Sequence, residues 1–107
     1  LDDEDIYLTI APGQLLFTLQ PGGQIDFSWT KADVNAGGTD DDVFERYKIF
    51  RTQDFIAYTL VFNDTDIDHN SYSESPGSGT WYYGLQTFFT KTGQIETYPI
   101  YVGVVVP

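Results

Sequence analysis

Hydrophobic positions along this chain recur at every second residue in short segments, and no window of about twelve residues shows the spacing of an amphipathic helix. The clearest segment runs from Gln24 to Thr30, where Ile25, Phe27 and Trp29 share one side and Asp26 and Ser28 the other. That alternation predicts a strand with one buried and one wet face. Leu15, Phe17 and Leu19 alternate in the same way, and Gln20-Pro21-Gly22-Gly23 supplies the turn chemistry that joins the two segments into a hairpin. After a polar connection from Asn35 to Asp42, Glu45 to Arg51 alternates again, with Tyr47 and Ile49 on one side and Arg46, Lys48 and Phe50 on the other. Phe55 to Phe62 is rich enough in aromatic and β-branched residues for a fourth strand, and Ser71 to Glu74 is a weaker fifth.

Ser75-Pro76-Gly77-Ser78-Gly79 marks a turn before Thr80 to Phe89, where Trp81, Tyr83, Leu85 and Thr87 fall on one face and Tyr82, Gln86 and Phe88 on the other. Thr90-Lys91-Thr92-Gly93 closes a hairpin to a last strand, Gln94 to Val106. Ile100, Val102, Val104 and Val106 are expected to face inward, and Pro99 predicts an edge or a bulge, since it cannot donate to a ladder. Seven short strands at this spacing predict an all-β fold, a seven-stranded antiparallel β-sandwich, in one domain over residues 14–107. Residues 1–13 read as an acidic segment or linker holding a candidate first strand.

Composition narrows the chemistry. The 107 residues include no cysteine, which removes thiol catalysis, thiolate metal sites and disulfides. Sixteen acids against five basic residues give a formal charge of −11, a field that repels phosphate backbones and anionic lipid. Nucleic acid is therefore not an expected partner. No apolar run approaches the ~20 residues of a membrane helix, so membrane insertion is not expected. The start Leu1-Asp2-Asp3-Glu4-Asp5, without methionine, reads as that of a fragment or processed product.

Several segments together resemble the fibronectin type III family: Ser28-Trp29-Thr30 ending one strand, Tyr47-Lys48-Ile49-Phe50-Arg51, Gly79-Thr80-Trp81-Tyr82-Tyr83-Gly84-Leu85-Gln86-Thr87, and Gly93 opening the last strand. The resemblance spans about residues 14 to 106 and implies an immunoglobulin-like sandwich. It implies a core in which Trp29 packs on Tyr47, with Trp81 anchoring the corner before its strand. An indole at a corner usually held by tyrosine implies that the corner hydrogen bond is lost or passes to Tyr83. The structural core expected is Trp29, Tyr47, Ile49, Trp81, Tyr83 and Leu85.

Candidate sites are few. Asp64, Asp66 and Asp68 are spaced like the first half of a calcium loop, but His69 stands where the sharp turn needs glycine and Ser75 where a bidentate glutamate belongs. Calcium is thus the one candidate cofactor, set against an ordinary solvated acidic loop, and Asp40-Asp41-Asp42 carries the same ambiguity. Asn63-Asp64-Thr65 matches a glycosylation sequon. His69, the only histidine, has no nucleophile or second histidine arranged with it, and no carboxylate pair lies in a segment expected to be desolvated. These residues give no catalytic constellation, and the chain is read as a non-enzyme.

Eight Phe, eight Tyr and two Trp exceed what the inward positions absorb. Phe50, Tyr82 and Phe88, with Arg46, Lys48 and Gln86, are therefore expected on one outward face of neighbouring strands, as a contact strip for a protein or as stacking platforms for sugar rings. The function expected is a structural or interaction module, a spacer or adhesion unit of a secreted or surface-exposed protein. Its expected partners are neighbouring domains or another protein. The alternatives are a carbohydrate-binding module that takes a glycan, and a capsid or appendage component.

Overall fold

The computed structural model of the chain describes residues 15–32, 43–90, 94–96 and 100–107, with the backbone alone at 43, 89–90 and 94–96. Within them lie β1 (Leu16–Leu19), β2 (Ile25–Ser28), β3 (Val43–Thr52), β4 (Tyr58–Asp64), β5 (Ser71–Glu74), β6 (Gly79–Thr90), β7 (Gln94–Glu96) and β8 (Tyr101–Val106), and no helix. They form two antiparallel sheets. One has the order β1-β2-β5; the other has the order β4-β3-β6, with β7 and β8 both on the far edge of β6. The eight segments fill seven positions, because β7 pairs with Phe88–Thr90 and β8 with Gly79–Gly84 of the same long strand. The segment 1–13, the Asn35 to Asp42 connection with Asp40-Asp41-Asp42, residues 91–93 and Pro99 lie outside the described residues.

Turn chemistry sets the ends of the strands. Gln20 N–H donates to Gln24 O at 2.7 Å and Gly23 N–H to Gln20 O at 3.1 Å, closing the β1–β2 hairpin. Gly22 and Gly23 hold φ of 92° and 94°, a region that side chains disfavour. The fourth strand begins at Tyr58 and not at Phe55. Thr52 Oγ1 accepts the Phe55 N–H at 3.0 Å, and the Asp54 carboxylate accepts those of Ile56 at 2.9 Å and Ala57 at 3.0 Å. Those local acceptors outcompete a ladder for residues 53–57 and force Phe55 to φ 57°.

The core lies between the sheets. Ile25, Phe27 and Trp29 from one side meet Tyr47, Ile49, Tyr83, Leu85, Val104 and Val106 from the other, all buried. Phe27 contacts Tyr83 across the layers at a ring separation of 4.4 Å. Full burial of an apolar side chain of this size contributes about 1.5 to 3 kcal/mol, so this set dominates the stability. Two expectations fail at the margins. Phe17 and Leu19 share a face with Phe27 and Ile25 by register but stay 40% and 36% exposed, because β1 is an edge strand. Ile100 is 60% exposed, and inward packing on this edge starts at Val102.

Two polar ties cross the core. The Tyr47 hydroxyl accepts the Ala32 N–H at 2.8 Å and donates to Ile67 O at 2.9 Å, pinning two connections to β3. From β5, the Glu74 carboxylate accepts Tyr83 Oη at 2.5 Å, Tyr72 Oη at 2.5 Å and Arg51 Nη1 at 2.7 Å, tying the smaller sheet to β3 and β6. Trp81 is half-buried against the core, under the Arg51 guanidinium at 4.9 Å. Its indole Nε1 donates to Gly77 O at 3.0 Å. The indole thus bonds the backbone four residues upstream, and the Tyr83 hydroxyl is taken by Glu74.

Candidate functional site

The two outer faces of the sandwich differ in chemistry. Outward positions of the three-stranded sheet are mostly small and polar: Thr18, Asp26, Ser28, Ser71 and Ser73, with Leu16 the exposed apolar exception. Asp26 there accepts hydrogen bonds from Gln20, Gln24 and Ser73, and these bonds, that from Gln24 foremost, hold its carboxyl below the usual range. This is a hydrated surface.

Cross-strand register gives the outer face of the five-stranded sheet in rows, since directly paired residues share a face. One row is Leu60, Phe50, Gly84, Tyr101; the next is Tyr58, Thr52, Tyr82, Gly103. Toward the other end come Asn63, Lys48 and Gln86, then Arg46 and Phe88 with Glu96 paired beyond. A β-carbon on Gly84 would lie 2.8 Å from Tyr101 Cε1, and one on Gly103 3.3 Å from Tyr82 Cε1, so each tyrosine ring rests on a glycine of its neighbouring strand. The 53–57 turn folds over Thr52, which is buried, and brings Phe55 onto Tyr82 at 4.5 Å and Tyr101 at 5.5 Å. Tyr58 stands 6.0 Å from Tyr101. At the tip Ile56 is 83% exposed, and Val105 on β8 is 68% exposed.

All six residues expected on the outward strip lie on this face. Phe50, Tyr82, Phe88, Arg46, Lys48 and Gln86 are each half-buried by one another and by the neighbouring strands. Lys48 Nζ lies 4.5 Å from the centre of the Phe88 ring. Arg46 Nη1 donates to Asn63 Oδ1 at 2.9 Å, and Arg46 Nε meets Glu45 at 3.3 Å. Sequence reasoning did not place Phe55, Tyr58, Leu60 or Tyr101 here. For Tyr101 the signal was available, because it alternates with the inward Val102; for Phe55 only the turn geometry reveals it.

The acidic loop is different. Asp64 accepts the Asp66 N–H at 2.9 Å and is bonded to His69 Nδ1 at 2.5 Å, and these two contacts, the backbone one foremost, hold its carboxyl pKa below the usual range. Asp66 accepts the Asp68 N–H at 2.9 Å, and Asp68 pairs with Lys31 at 3.1 Å. Each carboxylate serves a local turn or ion pair, and among the described residues no three acidic or histidine side chains converge as a metal site. Alternate spacing at Asp64, Asp66 and Asp68 thus supplies turn acceptors and an ion-pair partner, the solvated-loop alternative set beside calcium in the sequence. Millimolar calcium should leave the melting temperature unchanged; a rise abolished by Asp66→Asn would show a site after all.

No protein-family model matches the chain, and no curated protein sequence matches it.

Proposed function

We propose that the chain is a fibronectin type III-like, immunoglobulin-like sandwich module acting as a non-catalytic structural or interaction unit of a larger extracellular or surface-exposed protein. Its contacts are made through the outer face of the five-stranded sheet. The family reading is supported by the strand order, three positions against four, by Trp29 packing edge-on to Tyr47 at 5.5 Å, and by the Trp81 corner bond. The single observation that carries the contact reading is the asymmetry of the outer faces, one hydrated and one aromatic. Contiguous exposed apolar surface marks interaction sites, whereas scattered apolar residues do not.

Aliphatic as well as aromatic side chains are exposed there, with Ile56, Leu60 and Val105 beside Tyr58. Sugar rings stack on aromatic planes and gain little from aliphatic branches, and the rings of Tyr58 and Tyr101 are inclined by 53° to each other. These features favour a protein partner over a glycan. Retention of beads coated with the chain, measured on protein surfaces and on a glycan array, tests the reading. Tyr58→Ser combined with Leu60→Ser and Val105→Ser should keep a cooperative melt and abolish retention. Changes on the hydrated face, Ser28→Ala with Ser73→Ala, should do nothing. Retention indifferent to the aromatic-face variant would overturn the proposal, and retention on glycans alone would replace it with the carbohydrate-binding alternative.

A further inference from the structure

Every described cation but one meets a carboxylate: Lys31 pairs with Asp68, Arg46 with Glu45 and Arg51 with Glu74. Lys48 has no carboxylate partner among the described residues and stands over Phe88 on the aromatic face. In a chain of net charge −11 a lysine without a carboxylate partner among the described residues is uncommon. The described charges also differ between the two ends of the face, although Arg46 is paired with Glu45. Arg46 and Lys48 mark one end, and Asp54, in the turn that folds over Thr52, marks the other. Between them lie the apolar rows centred on Phe50 and Gly84.

We infer that the partner of this face is a second copy of the chain, docked face to face about a two-fold axis that crosses the strands at the level of Phe50 and Gly84. The inference rests on the contact reading above and names its occupant. A face-to-face pair has two simple choices of axis in the interface plane. An axis along the strands sets Arg46 and Lys48 over their own copies, which like-charge repulsion disfavours. An axis across the strands sets them over the other copy's 53–57 turn. Lys48 lies two residues and Arg46 four residues from Phe50, roughly 7 and 13 Å at about 3.3 Å per residue, and the turn lies at a similar distance on the opposite side. Lys48 then meets Asp54 of the other copy, twice by symmetry, while the row of Leu60, Phe50 and Tyr101 in each copy lies over its counterpart.

Charge also bears on which described face can be shared. Two molecules of this net charge repel over most of their surface. On the outward strand positions of the face the described side chains carry two cations, Arg46 being paired with Glu45 at a bulge on its border, and Glu96 stands in register beyond Phe88. The face presents fewer side chains than the about 20 to 30 per partner of a standard stable interface, which sets the dimer in the weak, reversible class.

Sedimentation equilibrium from about 10 μM to about 1 mM covers the range in which such a contact is half-formed. The expected result is a monomer at the low end and a dimer at the high end. Ile56→Ser with Leu60→Ser should weaken the dimer by about tenfold or more, as loss of central apolar contacts does. Lys48→Met keeps the stem over Phe88, and Asp54→Asn keeps a turn acceptor; each should weaken the dimer by about three- to tenfold, and the pair of changes no more than either alone. Circular dichroism melts of the same variants confirm folding. A chain that stays monomeric throughout, or a dimer untouched by these changes or weakened additively by them, overturns the inference. If the chain stays monomeric while its bead retention still depends on Tyr58, Leu60 and Val105, the second copy is wrong and the contact face stands. If retention is lost from neither, both fail.

Discussion

Trp29→Ala is expected to cost about 3 to 5 kcal/mol, a large share of the roughly 5 to 15 kcal/mol that holds a domain of this size together. Trp29 follows the last residue of β2 and is 3% exposed. Its ring meets Tyr47 at 5.5 Å and Phe62 at 5.4 Å, both edge-on, so one side chain joins the small sheet to β3 and β4. Its backbone is held separately: the N–H donates to Asn70 O at 3.2 Å, and the carbonyl accepts from Asn70 Nδ2 at 2.9 Å. Truncation therefore leaves the chain in place around a cavity that cannot collapse easily. Trp29→Phe should cost far less, under about 2 kcal/mol, because the buried Nε1 makes no hydrogen bond of acceptable geometry among the described residues, interacting only weakly with the Tyr47 hydroxyl. Urea unfolding of the three proteins decides it. An alanine variant within about 1 kcal/mol of the parent would mean that the ring is not central to the core.

Most of the core was legible because alternation and burial have the same cause. Ile25 with Phe27, Tyr47 with Ile49, and Tyr83 with Leu85 each recur at period two and each pair is buried. Where the reading failed, a local interaction had overridden the pattern. Phe55-Ile56-Ala57 looks like the start of a strand, yet Thr52 and Asp54 capture its N–H groups and make a turn. Register was the other gap. Leu60 and Phe62 have the same parity, which predicts one face, but Val61 is an extra residue at a bulge, so Phe62 pairs with Ile49 and packs inward while Leu60 pairs with Phe50 and faces out. A second irregularity between Phe44 and Arg46 has the same effect at the other end of β3, where Phe44 packs on Tyr47 at 4.6 Å.

The aromatic outer face was legible only in its middle. Outward positions on β3 and β6 follow from alternation alone, which is why Phe50, Tyr82 and Phe88 could be grouped. Adding Tyr58 and Leu60 requires the bulge, and adding Phe55 requires its left-handed backbone, and neither leaves a periodic trace. Pattern also says which way a side chain points without saying whether anything covers it, the difference between Ile25 and Leu19 in the same hairpin.

Glu74→Ala is expected to destabilise by about 3 kcal/mol, close to the loss seen when one member of a largely buried charged pair is removed. Glu74 is one carboxylate serving three donors, the hydroxyls of Tyr72 and Tyr83 and the Arg51 guanidinium, and its side chain is 13% exposed against 24% for Arg51. Removal leaves the fully buried Tyr83 hydroxyl and a half-buried cation without their acceptor. Arg51→Met added to Glu74→Ala should therefore recover part of the loss, since the stranded charge goes with it. Burial foremost, and then the hydrogen bond to Glu74 and its negative charge, push the Tyr72 and Tyr83 phenols above their ordinary value. The unfolded chain releases these protons near pH about 10 while the folded chain still holds them, so above that pH the unfolded state binds fewer protons and stability must fall as pH rises. Below about pH 9 the same phenols contribute no slope. Tyr72→Phe with Tyr83→Phe should flatten the decline between about pH 10 and pH 12, after a fixed loss at neutral pH from the two hydrogen bonds. Chemical denaturation at stepped pH measures both effects. A parent protein whose stability stays level through that alkaline window, or a double-phenylalanine variant that falls as steeply as the parent, would show that these phenols are not held by the Glu74 carboxylate.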